Sequence, residues 1–196
     1  MEIRRMLPSD IDAACDVIGL AFADNPNTLA VVKGDRAKAQ RMMRVAVRAA
    51  KVGRKCSYVL VADDRAQIVG VLNAAEWPNC QLSMSEKLKT APVMVRVAGW
   101  ALPRSLKMMN VWAKHDPRER HWHLGPIGVH PERQGRGVGK ALLSSFLTTI
   151  DEQRAPAYLE TDVDRNVLLY EQFGFRVIAQ AEINGVNNRF MWRRCK

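Results

Sequence analysis

The chain has 196 residues, of which 47% are hydrophobic and 26% charged, an ordinary globular composition that excludes wholesale disorder. No apolar run approaches the roughly 18 residues of a spanning helix, and the start Met1-Glu2-Ile3-Arg4-Arg5 meets a proline and acids by Asp12, unlike a secretory signal. Thirty Lys and Arg against 20 Asp and Glu leave +10, a balance suited to a polyanion such as nucleic acid, a phosphorylated cofactor or an acidic surface.

In chain order, Ile3–Leu7 reads as a short strand, and Pro8-Ser9-Asp10 caps a helix running to about Ala23. Past a break at Asn25-Pro26-Asn27, Arg41, Arg44, Arg48, Lys51 and Lys55 recur opposite Met43, Val47 and Ala50. Asp35–Lys55 is therefore an amphipathic helix with a basic face, for which solvation is a sufficient account. Ser57–Ala62 and Gln67–Ala75 form a hairpin around Asp63-Asp64-Arg65-Ala66. Residues 81–115 read as two helices divided near Pro103. His121–Val129 is a strand, Val138–Gln153 a helix apolar on most faces, Ala157–Thr161 a strand, and Asn166–Phe173 a short helix ended by Gly174. Phe175–Ile183 and Val186–Arg194 flank Asn184-Gly185, a strong hairpin signal. The alternation predicts one α/β domain over residues 1–196 with a mixed sheet.

Cys15, Cys56, Cys80 and Cys195 are scattered, with no C-x-x-C pair and no histidines at zinc spacing. Reduced thiols in a cytoplasmic protein, and no metal, are the expectation.

The chemistry concentrates in Ile127-Gly128-Val129-His130-Pro131-Glu132-Arg133-Gln134-Gly135-Arg136-Gly137-Val138-Gly139-Lys140, which runs strand, turn, helix. Alternate glycines at a helix start let backbone N–H groups converge on an anion with the helix dipole behind them. A P-loop would need Gly at Gln134 and Ser or Thr at Ala141. A dinucleotide fingerprint would need Gly at Lys140 or Leu142. Both fail.

Gln134-Gly135-Arg136-Gly137-Val138-Gly139 resembles the Q/R-x-x-G-x-G/A signature of the GNAT superfamily of N-acetyltransferases, and Tyr170-Glu171-Gln172-Phe173-Gly174-Phe175 resembles its aromatic-rich helix end. With His121-Trp122-His123-Leu124, Tyr158-Leu159-Glu160-Thr161 and Arg165-Asn166-Val167, the assembly is similar to the branch containing puromycin N-acetyltransferase. The resemblance implies a GNAT fold: a mostly antiparallel sheet of six or seven strands, flanked by helices, with two central parallel strands splayed around the pantetheine arm. It implies acetyl-CoA as co-substrate, the backbone of Ile127, Gly128 and Val129 along the pantetheine, Gln134, Gly135, Arg136, Gly137, Val138, Gly139 and Lys140 at the pyrophosphate, and Asn166 near the pantetheine end. Many relatives carry an Asn seven residues before the Tyr, where this chain has Val163. Tyr170 would stand near the thioester sulfur.

Acetyl transfer needs a neutral amine, a stabilised oxyanion and a protonated leaving thiolate. An alkyl amine of pKa about 10.4 is neutral in only about one molecule in 2,500 at pH 7, so a base or water chain is useful. Gly125-Pro126 within the strand marks a bulge or an edge, and a bulge would free an N–H for the oxyanion. Tyr170 is the candidate general acid. His123, expected on the face of Ile127 and Val129 and about 13 Å before Ile127, is the candidate base through bridging water, with His121, Glu160 and Glu76 as alternatives. Trp77, Trp100 and Trp112 are candidate pocket walls. The expected reaction is acetylation of a primary amine on a small molecule, antibiotic-like or a metabolite. Protein or peptide amines, or a non-catalytic basic module binding acyl-CoA or nucleic acid, are the alternatives. No DNA- or RNA-binding motif supports nucleic acid, no membrane partner is expected, and a homodimer is allowed.

Overall fold

Short turns and β-branched runs set the frame of the computed structural model, which describes residues 1–52 and 54–195. Ser57–Asp64 (β2) and Gln67–Glu76 (β3) form an antiparallel hairpin whose turn residues Arg65 and Ala66 take φ of 56° and 65°, as a tight two-residue hairpin loop requires. Glu2–Arg5 (β1) adds to β2, and Trp122–Val129 (β4) pairs antiparallel with β3. Ala157–Thr161 (β5) runs parallel to β4. The closing hairpin, Arg176–Ile183 (β6) and Val186–Arg193 (β7), turns at Asn184-Gly185, and β7 inserts beside β5. The seven-stranded order is β1-β2-β3-β4-β5-β7-β6. This is the mixed sheet with a central parallel pair that the sequence predicts.

Period-two alternation splits the sheet residues between two cores. Leu60, Leu72, Ala74, Leu124 and Leu159 face the helix Val138–Glu152 (α6) and the short helix Asp164–Gln172 (α7). Val59, Val61, Ile68 and Val71 face Ile11–Ala21 (α1). In α6, Val138, Leu142, Leu143, Phe146, Leu147 and Ile150 are buried while Ser144 and Thr148 are exposed. It is thus an amphipathic helix, not one apolar on most faces, because only one side meets the sheet.

Two further readings change. Asn25-Pro26-Asn27 is no break but the start of the helix Pro26–Val31 (α2), where the Asn25 side chain accepts from Thr28 N–H at 3.0 Å. Proline at the first helical position initiates as readily as it terminates elsewhere. The basic helix is Arg36–Val47 (α3), followed by a π turn over Arg48–Val52. Its Arg44 pairs with Asp12 and Asp16, and Arg48 with Asp12, all on α1. Part of the basic face therefore docks α3 onto α1 instead of offering a continuous polyanion surface. Residues 81–115 form Met84–Ala98 (α4) and Leu102–His115 (α5), with Pro103 in the first turn of α5. Among the described residues no helix is long and apolar enough to cross a membrane.

Candidate active site

The parallel strands part early. β4 and β5 pair only at Trp122 with Ala157 and at His123 with Tyr158, so beyond them the backbone of β4 is bonded on its β3 side alone. A bulge sits at this divergence, one of the two readings of Gly125-Pro126. Leu72 faces Ile127 and Ala74 faces Leu124, so two residues of β4 oppose Asn73 alone. Asn73 Nδ2 donates to the Gly125 carbonyl at 3.0 Å, satisfying the acceptor that the bulge frees.

The same bulge corrects the expected orientation of His123. One extra residue reverses the alternation. Trp122, Ile127 and Val129 all pack on the α6 side, whereas a Cβ on Gly128 would meet Ile18 and Ala21 of α1 at 2.7 and 3.1 Å. His123 shares the α1 side with Glu160 and Asp116, and so faces away from Ile127 and Val129.

At the open end of β4 the Gln134 side chain donates to the Val129 carbonyl at 3.1 Å, tying the loop to the strand. Gly135 and Gly137 have φ of 74° and 81°, and Gly137 is the N-cap of α6. A Cβ at either would meet nothing within 4 Å. These glycines thus line open space, unlike Gly128, which lets α1 approach. Ala141 N–H to Gly137 C=O, at 2.9 Å, is an early rung of α6. The N–H groups of Val138, Gly139 and Lys140 precede it without intrahelical acceptors. This cradle of free donors fits a pyrophosphate. Arg136 and Lys140 stand beside it, Arg136 exposed.

Tyr170 lies on α7, its ring 5.8 Å from Phe175, and its hydroxyl has no hydrogen-bond partner among the described residues. Burial first, and the Asp162 carboxylate second, push its phenol up to about 12. It is therefore held as a proton donor. Asn166 is on the first turn of α7, its N–H donating to the carbonyl of Val163, the residue that precedes the helix.

On the opposite face, His123 Nε2 is 3.0 Å from Glu160 Oε2, and His123 Nδ1 is 3.6 Å from Asp116 Oδ2. Burial opposes the charged imidazole, but Glu160, Asp116 and Cys80 outweigh it and raise His123 well above its ordinary value. His121 is fully buried against Asp116 at 3.1 Å; burial again opposes, and Asp116 with Cys80 and the Glu119 carbonyl raises it to about 9. Glu160 Oε1 is buried with no hydrogen-bond partner. Glu76 instead pairs with Arg120 at 2.7 Å. The three tryptophans do not converge: Trp100 is half-exposed under Lys38, Trp77 is at the β3 end, and Trp112 Nε1 donates to Asn188 Oδ1 at 3.0 Å.

Sequence reasoning missed Asp116, Cys80 and Asp162. Asp162 accepts from Asn25 Nδ2 and from Asn27 N–H at 2.9 and 2.7 Å. Cys80 lies 41 positions before His121 and carries no local signal, whereas Asp162 directly follows Thr161 and Asp116 stands five residues before His121-Trp122-His123.

A profile of the acetyltransferase (GNAT) family matches residues 34–175, and this chain belongs to that family. It is 34% identical over 67 residues to a mycothiol acetyltransferase of Streptomyces coelicolor and 38% identical over 68 residues to one of Jonesia denitrificans. Each match takes in 33% of this chain and 22% of the relative, so it spans less than a quarter of those relatives' own length. In fold the chain is similar over 99% of its length to a Corynebacterium glutamicum structure described as histone acetyltransferase HPA2 and related acetyltransferase, with TM-score 0.71, 21% identity and 96% of that chain covered. A Brucella melitensis GNAT acetyltransferase solved with acetyl-CoA is similar over 98% of this chain and 86% of its own, at TM-score 0.52 and 17% identity.

Proposed function

We propose that this chain is an acetyl-CoA-dependent N-acetyltransferase whose acceptor is a primary amine on a small molecule. The observation that carries the reading is the meeting of two features: the β4–β5 divergence and, at its open end, a cradle of N–H donors whose glycines face empty space. In this reading the N–H groups of Gly135 to Lys140 bind the pyrophosphate, with Gln134 fixing the loop. The open edge from Ile127 to Val129 lines the pantetheine and supplies backbone donors to the oxyanion; one such donor is worth about 10²–10³ in rate. Asn166 flanks the arm from α7, and Tyr170 donates a hydrogen bond to the departing sulfur.

The base is read differently from the sequence. Both ring nitrogens of His123 are turned to acceptors on its own face, so it serves as the group that holds Glu160. Glu160 Oε1, buried and unpartnered, is the free acceptor for the ammonium proton.

The relatives' names divide between mycothiol and histone, so the acceptor is argued from the site. Asn27 Nδ2 donates to Asn188 Oδ1 at 2.6 Å, Trp112 Nε1 donates to the same oxygen, and Asn25 and Asn27 hold Asp162. This network covers the α1 side of β7 and β5 with buried polar side chains, which favours a small polar acceptor over a folded protein surface. The four-residue likeness His121-Trp122-His123-Leu124 to the puromycin acetyltransferase branch agrees with an antibiotic-like or metabolite acceptor. A panel of small amines and N-terminal peptides, followed by release of free thiol, tests this directly; turnover confined to the peptides would overturn it. Glu160→Gln is expected to lower kcat/KM about 10²-fold while acetyl-CoA affinity stays within about twofold. An acceptor whose amine is already neutral at pH 7 should lose much less. Equal losses on both acceptors would make Glu160 structural.

A further inference from the structure

The densest set of chemically competent side chains lies outside the cofactor cradle. Cys80 follows β3, Asp116 ends α5, and His121 and His123 open β4. One ligand atom from each lies within 4.8 Å of those of all the others. We infer that Cys80, Asp116, His121 and His123 form a four-ligand site for a divalent transition metal of the zinc type. The inference does not rest on the acetyl-transfer reading.

The geometry comes first. A tetrahedral zinc with bonds of about 2.0–2.3 Å holds its donors roughly 3.3–3.8 Å apart. Asp116 Oδ1 to His121 Nε2 is 3.1 Å, Asp116 Oδ2 to His123 Nδ1 is 3.6 Å, and Cys80 Sγ to Asp116 Oδ2 is 3.8 Å. The remaining donor pairs lie within 4.8 Å.

The second argument is hydrogen-bond accounting. Among the described residues Asp116 Oδ1, His121 Nε2 and His123 Nδ1 are buried and make no hydrogen bond of good geometry, although Asp116 Oδ1 and His121 Nε2 face each other at 3.1 Å. One such orphan is tolerable; three converging on one point call for a guest that accepts several lone pairs. The outer contacts fit the same guest. His121 Nδ1 is 2.7 Å from the Glu119 carbonyl and His123 Nε2 is 3.0 Å from Glu160 Oε2. Each outer nitrogen faces an acceptor, so an imidazole that gives up its inner proton on metal binding keeps its outer N–H and turns the freed lone pair inward. Carbonyl or carboxylate behind a ligating histidine is the usual support of a metal site. Gln81 donates to Asp116 Oδ2 and so fixes the orientation of the carboxylate.

The third is placement. Asp116 is the C-cap of α5, its N–H donating to the Trp112 carbonyl at 3.0 Å. A buried carboxylate at the negative end of a helix dipole is unfavourable unless a cation compensates it. A mixed sulfur, nitrogen and oxygen set with four protein donors selects zinc among common divalent ions and leaves no open position. The ion would clip the α4–α5 segment and the β3 end onto the start of β4, and through His123 hold Glu160 at the strand divergence.

Cobalt(II) is the spectroscopic probe. The full chain, stripped with chelator and confirmed folded by circular dichroism, should take up about one cobalt with the intense visible bands of tetrahedral coordination and a thiolate charge-transfer band, both displaced by zinc. Cys80→Ser should abolish the charge-transfer band and weaken binding at least tenfold, whereas Cys15→Ser and Cys195→Ser should keep it. Asp116→Asn should weaken binding with the thiolate band retained, a second reading if Cys80→Ser folds poorly. Glu160→Gln should cost about 10–100-fold in affinity through His123. A folded wild-type chain that shows no tetrahedral spectrum at excess cobalt, or a Cys80→Ser variant that keeps spectrum and affinity, overturns the site.

Discussion

Replacing Gly137 with Glu is expected to weaken acetyl-CoA binding by about 100-fold or more while leaving the protein folded. Two terms add. Gly137 sits at φ 81°, a left-handed geometry that costs a side-chain-bearing residue about 1–2 kcal/mol. The new carboxylate would also occupy the space over the α6 N-terminus and meet the pyrophosphate with like charge. A loss of about 2.8 kcal/mol corresponds to the 100-fold change. The variant is a clean probe because a Cβ there touches no protein atom within 4 Å. Gly128 offers no such probe, since its Cβ would strike Ile18 at 2.7 Å and displace α1. Arg136→Ala should cost under about tenfold, because an exposed cation contributes little beside several directed N–H donors. Calorimetry of both variants decides the matter. Unchanged affinity in a folded Gly137→Glu protein removes the pyrophosphate from this loop.

How far the sequence reaches depends on the range of the interactions involved. The strand-loop-helix around Gly135 and Gly137 is a local motif, so both the element and its left-handed glycine turn could be read from consecutive residues. The Asn184-Gly185 turn was legible for the same reason. The bulge at Gly125-Pro126 leaves a local signal, but its effect on facing depends on the pairing with β3. An inserted residue inverts the facing of everything beyond it, which is why His123 lies opposite Ile127 and Val129. The α1–α3 ion pairs turned a face of apparently free cations into a docking surface, and nothing in the spacing of Arg44 and Arg48 alone could show that. Cys80 and His121 lie 41 positions apart in the chain and meet only because β3 and β4 are sheet neighbours. Clusters assembled by topology have no sequence spacing to recognise. Helix α5 was legible as a helix and not as part of the cover on β7 and β5, and α2 was hidden behind Asn25-Pro26-Asn27, which reads as a break.

For Tyr170→Phe we expect kcat to fall by about 10²–10³ with acetyl-CoA affinity nearly intact. The hydroxyl makes no hydrogen bond to the described residues, so removing it leaves no protein acceptor stranded and costs little stability. The ring stays, and with it the packing against Phe175 and the α6-side core. Affinity and fold should therefore survive together, which isolates the proton. Asp162 and burial hold the phenol protonated across the working pH range. A phenol raised to about 12 does not fully ionise to a free thiolate of ordinary pKa near 8.5. It assists instead by hydrogen-bonding to the sulfur as negative charge develops there, and it is needed most where that sulfur is most basic. A thioester with a more acidic leaving thiol should then depend less on Tyr170, and the ratio of wild-type to Phe-variant rates should shrink along a series of such thioesters. A ratio that stays flat across the series, or wild-type turnover in the variant, would make Tyr170 a packing residue and leave the leaving group to water.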